Sequence, residues 1–260
     1  MWSRYVALGD SFTEGLMDEM GPDGRRRGWA DRLACALWEM NPQLEYANLA
    51  IRGRLLGQVV DEQVPAAIAM EPDLVSLAAG INDTLRRSYD LDASMTSLEN
   101  AVIALRSSGA DVLLFAFGDP SRRSVVMGSV RDRIRSANAA TRAIAARHGC
   151  RVVDFWGCAA FDGDDMWDED RLHLSPAGHS LAARAAFEAL GLGDDSWRTP
   201  APVARPPAAA RAAGHARWAT RHFAPWLARR LQGRSSGDLI SAKRPVLAPP
   251  TCAPGEGALI

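Results

Sequence analysis

ALGDSFTEG, residues 7–15, closes the first apolar run of the chain. Residues 4–8 (RYVAL) are short and mostly apolar, and the run stops at Gly9. Such a run, ended by a glycine, predicts a strand buried on both faces. Gly9 and Gly15 account for a turn. They do not account for a serine beside an aspartate so early in the chain.

The same unit recurs downstream. Residues 29–40 (WADRLACALWEM) place Trp29, Leu33, Ala36, Leu37 and Met40 at helical spacing. Residues 44–51 (LEYANLAI) predict a second strand, closed by Gly53, and residues 56–70 a helix with Val59, Val60, Val64 and Ile68 inward. A third strand over 74–79 ends at Gly80. Helices over 95–107 and 129–148 alternate with strands over 111–117 (DVLLFAF) and 150–155 (CRVVDF), and a last helix covers 175–190. Five strands separated by helices predict an α/β fold, a five-stranded parallel sheet covered on both faces. Ligands in such sheets bind beyond the carboxyl ends of the strands, where strand order reverses. The residues that follow each strand are therefore the candidates for chemistry.

Serine is a weak nucleophile until a base, an orienting carboxylate and oxyanion donors surround it. Each has a candidate at such a position. Ser11 opens the turn after the first strand, with its own N–H available as at a helix start. Gly53 follows the second strand, and a residue without a side chain lets its N–H approach an oxygen closely. Asn82, in Gly80-Ile81-Asn82-Asp83, offers a side-chain amide. Asp170 precedes His173 by three residues, close enough to fold back onto the imidazole and fix its tautomer. Ser175 and Pro176 then read as helix cap and first helical residue, which sets His173 on a loop just before a helix. Asp168 and His179 compete for the same roles, but His179 lies inside the helix with no aspartate three residues before it. Asp10 reads as a support for the turn, and Asp83 as the scaffold of Asn82.

These blocks together resemble the SGNH hydrolase superfamily, the GDSL esterases and lipases. Gly9-Asp10-Ser11, Gly53, Gly80-x-Asn82-Asp83 and Asp170-x-x-His173 match four of its motifs in order, across residues 4–190. Phe12 departs from the leucine in the motif's name. The resemblance implies a three-layer α/β/α, flavodoxin-like sandwich. It implies Ser11 as nucleophile, Asp170 and His173 as its triad partners, and Ser11, Gly53 and Asn82 as the oxyanion hole. It implies a serine esterase acting on a small-molecule ester, with no cofactor and no metal. An acyltransferase, a thioesterase and a carbohydrate O-deacetylase use the same machinery, and an inactive binding protein of this fold is the alternative outside catalysis. No GxSxG follows any of the predicted strands, so the α/β-hydrolase elbow is not the comparison.

Composition sets the remaining bounds. A net charge of −1 on 260 residues predicts no general attraction to nucleic acid. Cys35, Cys150, Cys158 and Cys252 show no metal or CxxC spacing and read as free thiols of a reducing compartment, so the expected location is cytoplasmic. No apolar run reaches membrane-spanning length. The catalytic unit is expected to end near residue 197. Residues 198–214 are rich in proline and alanine and read as a linker. Residues 215–232 read as a helix with Trp218, Phe223, Trp226, Leu227 and Leu231 as anchors, interrupted by Pro225. From Arg198 onward ten basic residues face two acidic ones, a net +8 that leaves −9 for the rest. Such a segment is expected to dock on the acidic body; its mix of basic and aromatic residues also suits peripheral membrane contact. Residues 233–260 are rich in Pro, Gly and Ser and read as a partly disordered tail. Loops at 17–28, 85–92, 120–128 and 161–167 are the expected pocket walls, with mixed chemistry that selects no substrate.

Overall fold

A computed structural model describes residues 1–122, 127–199 and 237–253. Five strands run parallel: β1 (Arg4–Gly9), β2 (Glu45–Asn48), β3 (Leu74–Ala78), β4 (Asp111–Ala116) and β5 (Arg151–Asp154). A sixth, β6 (Arg244–Ala248), joins the edge of β2 antiparallel, in the order β5-β4-β3-β1-β2-β6. The expected sheet of five strands is therefore corrected to six. The extra strand, RPVLA, lies in the proline-rich tail and carries Pro245, which an edge strand tolerates and an interior strand does not.

Side-chain alternation on the strands builds two cores. Tyr5 and Ala7 face one side, where the helices Trp29–Met40 and Pro176–Ala189 supply Trp29, Leu33, Ala182 and Ala186. Val6 and Leu8 face the other, packed against the helices Leu91–Ser107 and Arg131–His148 through Leu98, Val102, Leu105 and Ile144. The helix expected over 56–70 is three consecutive pieces: α-helical Leu56–Gln58, a π-helical turn Val59–Gln63, and α-helical Val64–Ile68. Pro65 lacks the N–H that a regular helix needs there, and Val64 N–H instead reaches back to the Val59 carbonyl.

Cys35 and Cys252, expected as free thiols, form a disulfide; Cys150 and Cys158 are free. The two bonded cysteines stand 217 residues apart in sequence, with Cα atoms 5.7 Å apart, so spacing along the chain carries no sign of the pair. Except for Arg198 and Thr199, the expected linker at 198–214 lies outside the described residues, as does the whole expected helix at 215–232. Among the described residues no helix is long and apolar enough to cross a membrane.

β1 is the centre of this arrangement. β2 lies on one side of it and β3 on the other, so the chain reverses direction across the sheet there. Gly9 and Ser11 leave the sheet at that switch point.

Candidate active site

Gly9 ends β1 with φ +149°, and a Cβ at this position would stand 2.3 Å from the Ala78 carbonyl oxygen on β3. Only glycine lets the two strand ends come this close. The chain then turns into a single helical turn, Ser11–Glu14, capped by Asp10, whose Oδ1 accepts from the Phe12 N–H at 3.1 Å. Phe12 points inward, with its ring 5.4 Å from Trp29, 5.6 Å from Phe115 and 6.2 Å from Phe155. Ser11 thus sits on a turn backed by packed aromatic rings, which restrict its movement.

His173 arrives from the other end of the chain. Its loop is fixed by Ser175, which caps the helix Pro176–Ala189 by accepting from Gly178 N–H, and by Pro176 in the first turn. Gly178 packs so tightly that a Cβ there would stand 2.1 Å from the Met166 carbonyl oxygen. The His173 Nε2 lies 3.0 Å from Ser11 Oγ, although the two residues are 162 apart in sequence. On the other side of the ring, Nδ1 lies 2.5 Å from Asp170 Oδ2. Asp170 Oδ1 accepts from the N–H groups of Leu172 and His173, both at 2.9 Å. Burial pushes the Asp170 carboxyl up, but the hydrogen bond and charge of His173 and those two N–H groups outweigh it and hold it below the usual carboxylate range. The group therefore stays ionised behind the imidazole.

Asp168, the rival carboxylate, belongs to the loop's frame: its N–H donates to the His173 carbonyl, and its carbonyl accepts from Arg171. His179, the rival base, is fully buried. It lies 3.3 Å from Trp29 N–H through Nδ1 and 3.2 Å from the Leu16 carbonyl through Nε2, and burial pushes its pKa down to about 4.

The other two blocks meet beside Ser11. Gly53 has φ +76°, in the left-handed region, and neither its N–H nor that of Ser11 finds an acceptor among the described residues. Asn82 Nδ2 donates to Asp10 Oδ2 at 3.0 Å and to the Arg54 carbonyl at 3.1 Å. Asp83 Oδ2 accepts from Leu56 N–H at 3.0 Å, which ties this block to the helix after Gly53. Burial pushes the Asp83 carboxyl up and, more strongly, Asp10 up to about 7.

Three buried side chains hold these turns together and were not expected. Gln63 forms a reciprocal pair with the Gly9 backbone, donating to its carbonyl at 2.9 Å and accepting its N–H at 2.8 Å. Asn48 donates to the Thr13 carbonyl at 2.9 Å. Glu14 accepts from Arg52 N–H at 2.7 Å and from the Arg52 guanidinium. Of the three, only Gln63 leaves a trace in the sequence, a polar residue on the apolar face shared by Val59 and Val60.

Asp10 and His179 make opposed contributions to pH-dependent stability. Asp10 ordinarily titrates at 3.8, so between there and about 7 the folded protein keeps a proton that the unfolded chain has lost. Its contribution to stability is full below the unfolded value and declines as pH rises toward 7. His179 ordinarily titrates at 6.5, so below that pH the unfolded chain takes up a proton that the folded protein accepts only near 4. Its contribution declines as pH falls from 6.5 to about 4. Asp10→Asn removes the first slope and keeps the second. The melting temperature of this variant is expected to climb more steeply from pH 4 to 6.5 than that of the wild type; parallel curves would contradict the assignment.

Comparison with known proteins places the chain. No curated protein sequence matches it. Among solved structures it is similar to LAE5, an alpha/beta hydrolase enzyme from the metagenome of Lake Arreo, Spain (24% identity, TM-score 0.62, covering 74% of this chain and 97% of that one). It is similar to Axe2, an acetylxylan esterase from Geobacillus stearothermophilus (20%, TM-score 0.61, 74% and 97%). It is also similar to TesA (21%, TM-score 0.60, 72% and 98%). At these identities the likeness speaks for the fold. The model of the GDSL-like Lipase/Acylhydrolase family matches residues 7–181, a span holding every motif from Ser11 to His173. The chain therefore belongs to the GDSL-like lipase/acylhydrolase family and is a hydrolase acting on ester bonds.

Proposed function

We propose that this protein is a serine esterase working through an acyl-enzyme on Ser11. The observation that carries the reading is the line from Ser11 Oγ through the His173 ring to Asp170, at 3.0 and 2.5 Å. With Nδ1–H donated to Asp170, Nε2 is left to accept the Ser11 proton as Oγ attacks the ester carbonyl. The Ser11 and Gly53 N–H groups and the Asn82 amide stabilise the oxyanion. His173 then gives the proton to the departing alcohol, and water, activated by the same imidazole, releases the acid. Asp10 and Asp83 support the two turns that present the donors.

The substrate is proposed as a small ester. A panel of p-nitrophenyl esters from acetate to palmitate, run beside acetylated xylan and an acyl thioester, tests this. Turnover of an ester, together with labelling of Ser11 by a fluorophosphonate, is the expected result. Absence of both would leave the binding-protein reading. Product analysis with an added alcohol separates hydrolysis from acyl transfer. The Cys35–Cys252 bond favours a compartment where thiols stay oxidised over the cytoplasm expected from the sequence.

A further inference from the structure

The described carboxyl-terminal stretch, residues 237–253, grips the Ser11 turn from two sides. Gly237 is buried with its backbone against the turn that carries Gly53. A Cβ on Gly237 would stand 2.1 Å from the Arg52 carbonyl oxygen and 3.0 Å from Ile51 Cγ2. Arg52 is bound in turn to Glu14, the last residue of the helical turn that Ser11 opens. On the other side, Lys243 Nζ donates to the carbonyls of Arg26 and Arg27 at 3.0 and 2.9 Å, and to Asp31 Oδ2 at 2.5 Å. The Arg27 carbonyl lies 1.6 Å from where a Cβ on Gly15 would stand, so the segment that Lys243 holds is pressed against Gly15, the cap of the same turn. Arg244 reaches Asp31 and Asp23, β6 pairs with β2, and Cys252 fastens the stretch to the helix Trp29–Met40 through Cys35.

We propose that residues 237–253 form a strap that positions the active site. Its contacts through Arg52–Glu14 and through Arg27–Gly15 hold the Ser11 turn and the Gly53 turn in one register, so that their N–H groups converge on one oxygen. Gly237 and Lys243 are positioning residues and touch no substrate. The inference rests on the esterase reading. A displacement of about 1 Å at a reacting centre lowers rates by about a hundredfold, which sets the scale of the effect.

Gly237→Ala forces the Arg52 turn to move, and kcat is expected to fall ten- to a hundredfold, with KM within twofold of wild type. Labelling of Ser11 by fluorophosphonate slows in parallel. Leu105→Ala, in the core on the far side of the sheet, serves as a control that lowers the melting temperature and keeps kcat. Cys252→Ser releases the end of the strap without a clash and is expected to lower kcat at least threefold at unchanged KM; it decides the matter if Gly237→Ala does not fold. Wild-type kcat in Gly237→Ala, or in Cys252→Ser where that variant decides, overturns the strap, as does a loss of kcat no larger than that of Leu105→Ala. A wild-type protein inert to every ester and to fluorophosphonate overturns the esterase reading instead.

Discussion

Ser11→Ala is expected to lower kcat by roughly 10⁶-fold, and His173→Ala by a similar factor. Neither change should unfold the protein, because Ser11 lies outside both cores and His173 sits on a loop. The double variant is expected to be no worse than either single one, because the pair acts as one unit: without the base the hydroxyl does not ionise, and without the hydroxyl the base has no proton to take. Asp170→Ala is expected to cost less, roughly 10⁴-fold, because the imidazole keeps its contact with Ser11 and loses its orientation and charge partner. Steady-state kinetics on the best ester of the panel, with circular dichroism as the folding control, measures all four. A milder effect for His173→Ala than for Asp170→Ala would contradict the roles proposed for them.

Asn82→Ala is expected to lower kcat by roughly 10²–10³-fold with KM little changed. In the resting geometry Nδ2 serves Asp10 Oδ2 and the Arg54 carbonyl. An oxyanion is a stronger acceptor than a neutral carbonyl, so under the proposed mechanism the amide exchanges the Arg54 carbonyl for it as charge develops. The expected signature is therefore a loss in kcat and kcat/KM together, the mark of an interaction made in the transition state. A loss below tenfold would leave the oxyanion to the Ser11 and Gly53 N–H groups alone.

The parallel sheet and the candidate site were legible in the sequence for the same reason. Buried parallel strands need unbroken apolar runs, and each run here stops at a glycine or a polar turn that the chain cannot hide. Candidate groups placed at those stops are visible as Ser11, Gly53 and Asn82, and His173 shows itself by the Asp170-x-x-His173 spacing before a capped helix. What escaped is what depends on distant partners. RPVLA is an edge strand with exposed side chains, its burial set by β2 rather than by any period of its own. Cys35 and Cys252 share no local pattern. Glu14 and Arg52 are ordinary surface residue types, and only the fold shows that they meet.

Strand β6 also bears on how the molecule is made. Its partner β2 has emerged from the ribosome long before residue 244, so the sheet's edge stays open until residues 244–248 follow. Closing a loop of this size carries an entropy that grows only slowly with length, so the last step is late rather than improbable. The newborn chain holds Ser11 almost from the start, but the frame around it is finished only when residues 237–253 arrive.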